Sequence, residues 1–482
     1  MEKLETGIPG LDTVLGGGIP RGSLVLVTGP AGSGKTILTT QLAFRLARDG
    51  RKTLILTALS ESNSKLIAYL DGLEYFDPSL IGGEIQILNI QRLLTDDGLA
   101  ATLSEIRASV VEQGIELLIV DSMRSLHLLT GDEVGVQSFI FGLGSALFMI
   151  GCTVVLVEDE PAVPGVSSAA EAISDTVLRL DVARMGRAAL RQLEVTKLRG
   201  ANPLGGKHSF EITYDGLEIY PRIESLPMPN TVRPSEGRLS WGVPGLDELT
   251  GGGVPQGTVT LLLGSPGVGK TTMATQFVAE GLECGERCLY VATHETADEL
   301  TSRAAERGIE LNTARESGAL TILDASPSDG YVDRTLNQVM DLVRSTRVDR
   351  LVIDVMYTLE REAEQEARVV QVVTSLTLFL RAHGVTALLA RELPQLFGSM
   401  LEFASPLNSA WAAVDNVILM RSVELEGSIL RTLNVLKMRA SAHDSAFHAL
   451  ALTDRGLRVG GPMEGFQGLL IGMPRRVGTV SE

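Results

Sequence analysis

The sequence predicts an α/β protein of two tandem domains, each built on a mostly parallel sheet flanked by helices. Three observations carry that prediction: an internal repeat, apolar strands alternating with helical stretches, and a glycine-rich strand-to-helix loop at one point of both copies. With 482 residues, 44% of them hydrophobic, the chain is long enough for two large domains with a core in each.

Gly7–Thr36 aligns with Gly242–Thr271 without a gap (242 − 7 = 235 and 271 − 36 = 235), and 16 of the 30 positions are identical. The identities include Pro9–Asp12 with Pro244–Asp247, and the triple glycines Gly16–Gly18 and Gly251–Gly253. A strand, a loop and a helix from about Thr36 to Arg48 follow, then apolar strands at Thr53–Thr57 and Cys288–Ala292. Further on, Glu116–Asp121 and Arg350–Asp354 are apolar strands that each end in aspartate. Strands separated by helices require right-handed crossovers, and ligands on such sheets sit at the carboxyl ends of the strands.

The uncharged run Val134–Val157 is long enough to span a membrane. Its counterpart reads differently: Val370–Leu380, then Arg381-Ala382-His383-Gly384, then Val385–Leu389. That is a helix, a glycine turn and a buried strand, and Gly151 holds the matching turn in copy one, so a soluble helix and core strand is predicted. The N-terminal residues show no secretory signal. Residues 1–220 form the first domain in this reading. Pro221–Arg238, with Pro221, Pro227, Pro229 and Pro234, is a linker. Residues 239–458 form the second domain and 459–482 a tail.

The loops read Gly29-Pro30-Ala31-Gly32-Ser33-Gly34-Lys35-Thr36 and Gly264-Ser265-Pro266-Gly267-Val268-Gly269-Lys270-Thr271. Both fit G-x-x-x-x-G-K-[ST], in which backbone N–H groups cradle phosphates. Gly29, Gly32, Ser33 and Gly34, and Gly264, Gly267, Val268 and Gly269, are therefore predicted to line the phosphates of ATP. Lys35 and Lys270 would reach the outer phosphates, and Thr36 and Thr271 would help hold Mg²⁺. Asp121 and Asp354 follow the loop lysines at similar spacing (121 − 35 = 86; 354 − 270 = 84) and are the further metal candidates. Ser122 and Val355 come next, so no glutamate there can polarise a water. The base candidates lie after the preceding strand, at Glu61 in Ser60-Glu61-Ser62 and Glu295 in His294-Glu295-Thr296, with one residue inserted in copy one. Late in each copy, Lys197-Leu198-Arg199 and Lys437-Met438-Arg439 place two cations at i and i+2 of a strand, on one face. Alone this is a surface pair. Its recurrence favours a phosphate-directed role, with an arginine supplied by a neighbouring subunit.

A formal charge of −17 disfavours indiscriminate binding to nucleic acid, and 4% aromatic content leaves no evident stacking platform. Cys152, Cys284 and Cys288 form no CxxC pair and read as ordinary thiols of a reduced, cytoplasmic setting.

From Thr6–Asp12 to Lys437–Asp444, these ordered motifs resemble the KaiC-like ATPases of the RecA superfamily. The resemblance implies two RecA-like P-loop domains per subunit and a homo-hexamer of two stacked rings, with ATP and Mg²⁺ bound between subunits. It places Lys197 and Arg199 of one subunit against Lys35, Thr36 and Asp121 of the next, and Lys437 and Arg439 against Lys270, Thr271 and Asp354. Clock members carry two adjacent glutamates where this chain has Ser60-Glu61 and His294-Glu295, which points to slow hydrolysis. The clock Ser-Thr phosphorylation pair, counted back from Asp415, falls on Trp411 and Ala412, which hold no hydroxyl. The tail Glu464–Arg476 resembles bacterial members outside the clock system. The function expected is a slow ATPase whose nucleotide state controls assembly and an unidentified regulatory protein partner in cytoplasmic signalling. Two alternatives are an autokinase acting elsewhere, with Ser167, Ser168 and Ser409 among the acceptors, and a nucleic-acid-dependent ATPase.

Overall fold

The computed structural model describes residues 2–58, 63–160, 168–185, 188–228, 237–325, 331–354, 366–393, 410–425, 427–439, 441–471 and 474–476. They form two compact units, Met1–Leu226 and Pro227–Glu482.

In the first unit, β1 (Lys3–Leu4) pairs with β2 (Ile19–Pro20) around the short α1 (Leu11–Val14). Then come β3 (Leu24–Gly29), α2 (Lys35–Arg48), β4 (Lys52–Thr57), α3 (Asn63–Leu70), β5 (Ile85–Asn89), α4 (Gly98–Gln113), β6 (Ile115–Asp121), α5 (Met123–Thr130), α6 (Glu133–Phe148) and β7 (Thr153–Asp159). The unit ends with α7 (Ala169–Ile173), β8 (Thr176–Met185), β9 (Ala188–Leu198), β10 (Lys207–Thr213) and β11 (Gly216–Tyr220). The sheet runs β5-β4-β6-β7-β3-β8-β9-β10-β11, parallel from β5 to β8 and antiparallel beyond.

The second unit repeats this plan. It contains β12 (Arg238–Leu239), α8 (Leu246–Leu249), β13 (Val254–Pro255), β14 (Val259–Gly264), α9 (Lys270–Glu283), β15 (Cys288–Ala292), α10 (Ala297–Ala305), α11 (Asn312–Glu316) and β16 (Leu320–Asp324). After these come α12 (Val332–Ser345), β17 (Arg350–Asp354), α13 (Glu366–His383), β18 (Thr386–Glu392), α14 (Ala410–Ala413), β19 (Asn416–Leu425), β20 (Ser428–Met438), β21 (His448–Thr453) and β22 (Gly456–Pro462). The order β16-β15-β17-β18-β14-β19-β20-β21-β22 matches the first sheet strand for strand. β22 continues past Arg458 because His448 pairs with Pro462, and a small hairpin of β23 (Phe466–Gln467) and β24 (Arg475–Arg476) follows.

Both faces of the first sheet are covered. Phe44, Leu42 and Leu46 of α2 pack on one side, and Ile106, Phe139, Ile140 and Leu143 of α4 and α6 pack on the other. This burial explains why the parallel strands are near-continuous in apolar residues rather than alternating. The uncharged run resolves as read: α6, a turn at Gly151 (φ 74°) and β7, with α13, Gly384 (φ 72°) and β18 as its counterpart. No helix among the described residues is long and apolar enough to cross a membrane.

Candidate nucleotide sites

Each glycine-rich loop leaves the central strand of its sheet, β3 or β14, and enters a helix whose first residue is the loop lysine. Gly34 and Gly269 cap those helices with φ of 108° and 113°, a left-handed backbone that a side chain would strain. A Cβ on Gly34 would also lie 2.9 Å from Ile212 Cδ1. The helix N–H groups thus open toward the strand ends, where an anion is favoured.

The lysines fold back onto their loops. Lys35 Nζ donates to the carbonyls of Gly29 (2.7 Å) and Pro30 (3.0 Å) and lies 3.1 Å from Asp159 Oδ1. Lys270 Nζ donates to those of Gly264 and Ser265, both at 3.0 Å, with Glu392 Oε2 at 3.7 Å. Desolvation lowers the Lys270 pKa from its ordinary value, opposed by Glu392 and Asp354. Burial works against ionisation of Asp159, yet Lys35 and Arg124 outweigh it and hold this carboxyl below its usual range.

Asp159 and Glu392 did not emerge from the sequence. They end β7 and β18, opposite Gly29 and Gly264 in the parallel ladder. Their constant distance from the strand-end aspartates was the available signal (159 − 121 = 38; 392 − 354 = 38).

The metal candidates converge in the first unit, where Thr36 Oγ1 donates to Asp121 Oδ2 at 2.9 Å. In the second unit, Thr271 and Asp354 line one cavity of about 430 Å³ with Lys270, Glu295, Arg303 and Arg307. No hydrogen bond joins these two. Asp354 Oδ2 instead accepts from the Tyr290 hydroxyl at 2.8 Å, and the Asp354 carbonyl accepts from Thr293 Oγ1. Burial and the neighbouring Asp354 hold the Tyr290 phenol well above its ordinary pKa, so it remains a proton donor. Asp354 Oδ1 is buried with no hydrogen-bond partner, as are Ser33 Oγ and Ser265 Oγ in the loops. A carboxylate oxygen without a hydrogen bond, in one cavity with a threonine, fits a hard cation such as Mg²⁺, and the loop N–H groups with a buried ammonium fit a polyphosphate.

Glu295 enters the cavity with its side chain 10% exposed, ion-paired to Arg303 of α10. Glu61 lies outside the described residues, as do Val355, Ala440, Ser167 and Ser409. Ser168 is described: it caps α7 and donates to Glu158 Oε2 at 2.6 Å, beside a carboxylate that would repel an added phosphate. Trp411 lies in α14.

The late lysines and arginines are anchored within their own units. Lys197 Nζ donates to the carbonyls of Glu171 and Ala172 at the end of α7, and Lys437 Nζ to those of Trp411 and Val414 at the end of α14. Desolvation, with Arg439 nearby, lowers the Lys437 pKa against the pull of Asp415. The arginines follow the strand ends rather than lying in the strands, and they pair with Asp175 (3.2 Å) and Asp415 (3.6 Å). Both strands carry a register shift next to the lysine, opposite Val177/Leu178 and Val417/Ile418. A bulge of this kind re-aims side chains. The shift precedes the lysine in both copies, and the pairing runs on regularly from Lys197 to Arg199 and from Lys437 to Arg439.

Cys152, Cys284 and Cys288 are free thiols. A family model described as "ATPase: KaiC" matches residues 4–224 and again 239–464. The chain is similar to the circadian clock oscillator protein KaiC of Parathermosynechococcus lividus, at 27% identity over 98% of this chain and 88% of the relative. It is similar to the protein of the same name in Thermostichus vulcanus, at 28% over 99% and 92%. The circadian clock protein KaiC3 of Synechocystis sp. is 27% identical over 98% and 95%.

Proposed function

The chain belongs to the KaiC family of ATPases, and we propose that it is a slow, two-site ATPase whose nucleotide state gates its assembly and the binding of a regulatory protein. The observation that carries this reading is the paired site itself. Two loops at equivalent places each set a buried lysine between loop carbonyls and a strand-end acid, at the carboxyl end of a parallel sheet. Gly29, Gly32, Ser33 and Gly34, with Gly264, Gly267, Val268 and Gly269, would hold the phosphates. Lys35 and Lys270 would exchange their carbonyl contacts for phosphate oxygens. Thr36 with Asp121, and Thr271 with Asp354, would hold Mg²⁺, which supplies charge neutralisation at the β- and γ-phosphates.

The residues around Glu295 support slow turnover. A general base must direct a carboxylate oxygen at water, and the ion pair with Arg303 holds one of the two oxygens, Oε2, leaving Oε1 for that task. His294 occupies the preceding position and adds no second carboxylate. Glu61 is assigned the same role in the first unit from the sequence alone.

Assembly into a ring would bring Lys197 and Arg199, and Lys437 and Arg439, to a neighbour's sites. What supports this is exposure combined with fixation: the Arg199 and Arg439 side chains are 64% and 51% exposed while buried or half-buried aspartates hold them in place. The absence of hydroxyls on Trp411 and Ala412 separates this chain from clock-type phosphorylation at that pair and favours a role outside the clock.

Mass measurement in solution with ATP, ADP and no nucleotide, alongside phosphate release, tests the proposal. A larger species with ATP and slow release that disappears in the double variant Lys35→Ala/Lys270→Ala is expected. Nucleotide binding without turnover would remove the ATPase step and leave a nucleotide-gated scaffold. Label from γ-labelled ATP appearing on the protein would instead establish the autokinase reading.

A further inference from the structure

The two sites differ one layer behind the metal candidates. In β15, Tyr290 lies two residues before Ala292, the partner of Asp354 in the parallel ladder. In β4, Ile55 lies two residues before Thr57, the partner of Asp121. Residues two apart on a strand share a face, so Tyr290 and Ile55 occupy equivalent places beneath the two aspartates.

Their surroundings differ accordingly. In the first unit a cavity of about 410 Å³ extends from Thr36 and Asp121 down to Ile55, Ile119 and Leu70. In the second, the cavity at the site stops at Ala292 and Asp354, and the fully buried Tyr290 stands in the layer below. Its hydroxyl bonds Asp354 Oδ2. Ile55 has no group with which to do the same for Asp121.

We propose that Tyr290 is a positioning residue for the second nucleotide site: it locks the Asp354 carboxylate so that Oδ1 alone is presented to the metal. The inference rests on the reading of Asp354 as a metal ligand. One carboxylate oxygen is committed to a rigid, buried donor, and the other is buried without a partner. An outer-shell donor of this kind fixes the orientation of its ligand, and its removal commonly weakens metal binding by about 10–100-fold. Without the hydroxyl, Oδ2 is a buried acceptor with no donor, and the carboxylate gains by rotating away from the metal position. Ile55 carries no hydroxyl, so this tyrosine lock belongs to the second site, and the two sites should differ in how they hold a metal even though their loops match.

The test is Mn²⁺ binding followed by electron paramagnetic resonance with a non-hydrolysable ATP analogue, in an Asp121→Asn background that leaves the second site to be read. Tyr290→Phe should weaken Mn²⁺ binding about ten-fold or more. Analogue binding measured in EDTA should be unchanged, which a general loss of structure would not allow. Tyr290→Ile, the residue type the first unit carries there, is the second variant should phenylalanine disturb folding, and it should behave alike. Mn²⁺ affinity within about two-fold of the parent in a folded variant would overturn the inference. Asp354→Asn separates the two levels. If it weakens Mn²⁺ binding while Tyr290→Phe does not, only the positioning role fails. If Asp354→Asn itself has no effect, the metal reading of that residue fails as well.

Discussion

Lys270 shows how a single residue sets conditions on the second site. Desolvation lowers its pKa below the ordinary lysine value of 10.5. A bound polyphosphate needs the protonated form, so affinity should fall as pH rises through the lowered value, while an ordinary lysine would still be charged. Calorimetric titration of ADP into Lys35→Ala protein at stepped alkaline pH should show affinity falling before an ordinary lysine would lose its proton. A fall that begins only where an ordinary lysine titrates would contradict this account of the lysine. At Glu295, the ion pair with Arg303 leads to opposite outcomes for its two members. Glu295→Gln should reduce second-site phosphate release by about 100-fold or more, the usual scale for a general base. Arg303→Gln should raise it several-fold by freeing the carboxylate. A drop in both variants would assign Arg303 to phosphate binding instead.

Among the elements, α10 matters because it carries Arg303. Its N-terminus is a full capping box: Thr296 Oγ1 accepts from the Glu299 N–H, and the Glu299 carboxylate accepts from the Thr296 N–H. Thr296→Ala should destabilise the second unit by about 1 kcal/mol in urea unfolding, the usual value of such a cap. An unchanged midpoint would mean that α10 is held by packing of Leu300 and Ala304 alone. Helix α9 and the loop before it show what the sequence made legible. Strand, loop and helix were readable because 16 of 30 aligned positions are identical and the loop pattern has a mechanism. The strand-end acids were not readable one copy at a time, since β7 runs into Glu158, Asp159 and Glu160 in succession. Only the ladder shows that Asp159 is the one opposite Gly29. Tyr290 stands in a strand that the sequence marks only as apolar, and its hydroxyl acquires meaning only from the pairing of β15 with β17. The bulges beside Lys197 and Lys437 likewise have no local sequence signature, because they arise from pairing between strands.

At the scale of the whole molecule, two sites in two compact units imply that each nucleotide stabilises its own unit first, and the chain contains a built-in probe for this. Both tryptophans, Trp241 and Trp411, belong to the second unit, and the first has none. Trp241 is fully buried, 5.6 Å from the Phe277 ring of the lysine-bearing helix α9, and its Nε1 donates to Thr250 Oγ1. Tryptophan emission therefore follows unfolding of the second unit, while far-ultraviolet circular dichroism follows both. A ligand at about 100 times its Kd stabilises what it binds by about 2.7 kcal/mol. For a domain of this size that corresponds to a rise in Tm of roughly 5–10 °C. In Lys35→Ala protein, where the second site alone binds, ATP should raise the emission transition by that amount. In Lys270→Ala protein it should leave emission in place and raise only part of the dichroism transition. If emission and dichroism moved together in both variants, the units would unfold as one block, and nucleotide at either site would be felt equally by the other.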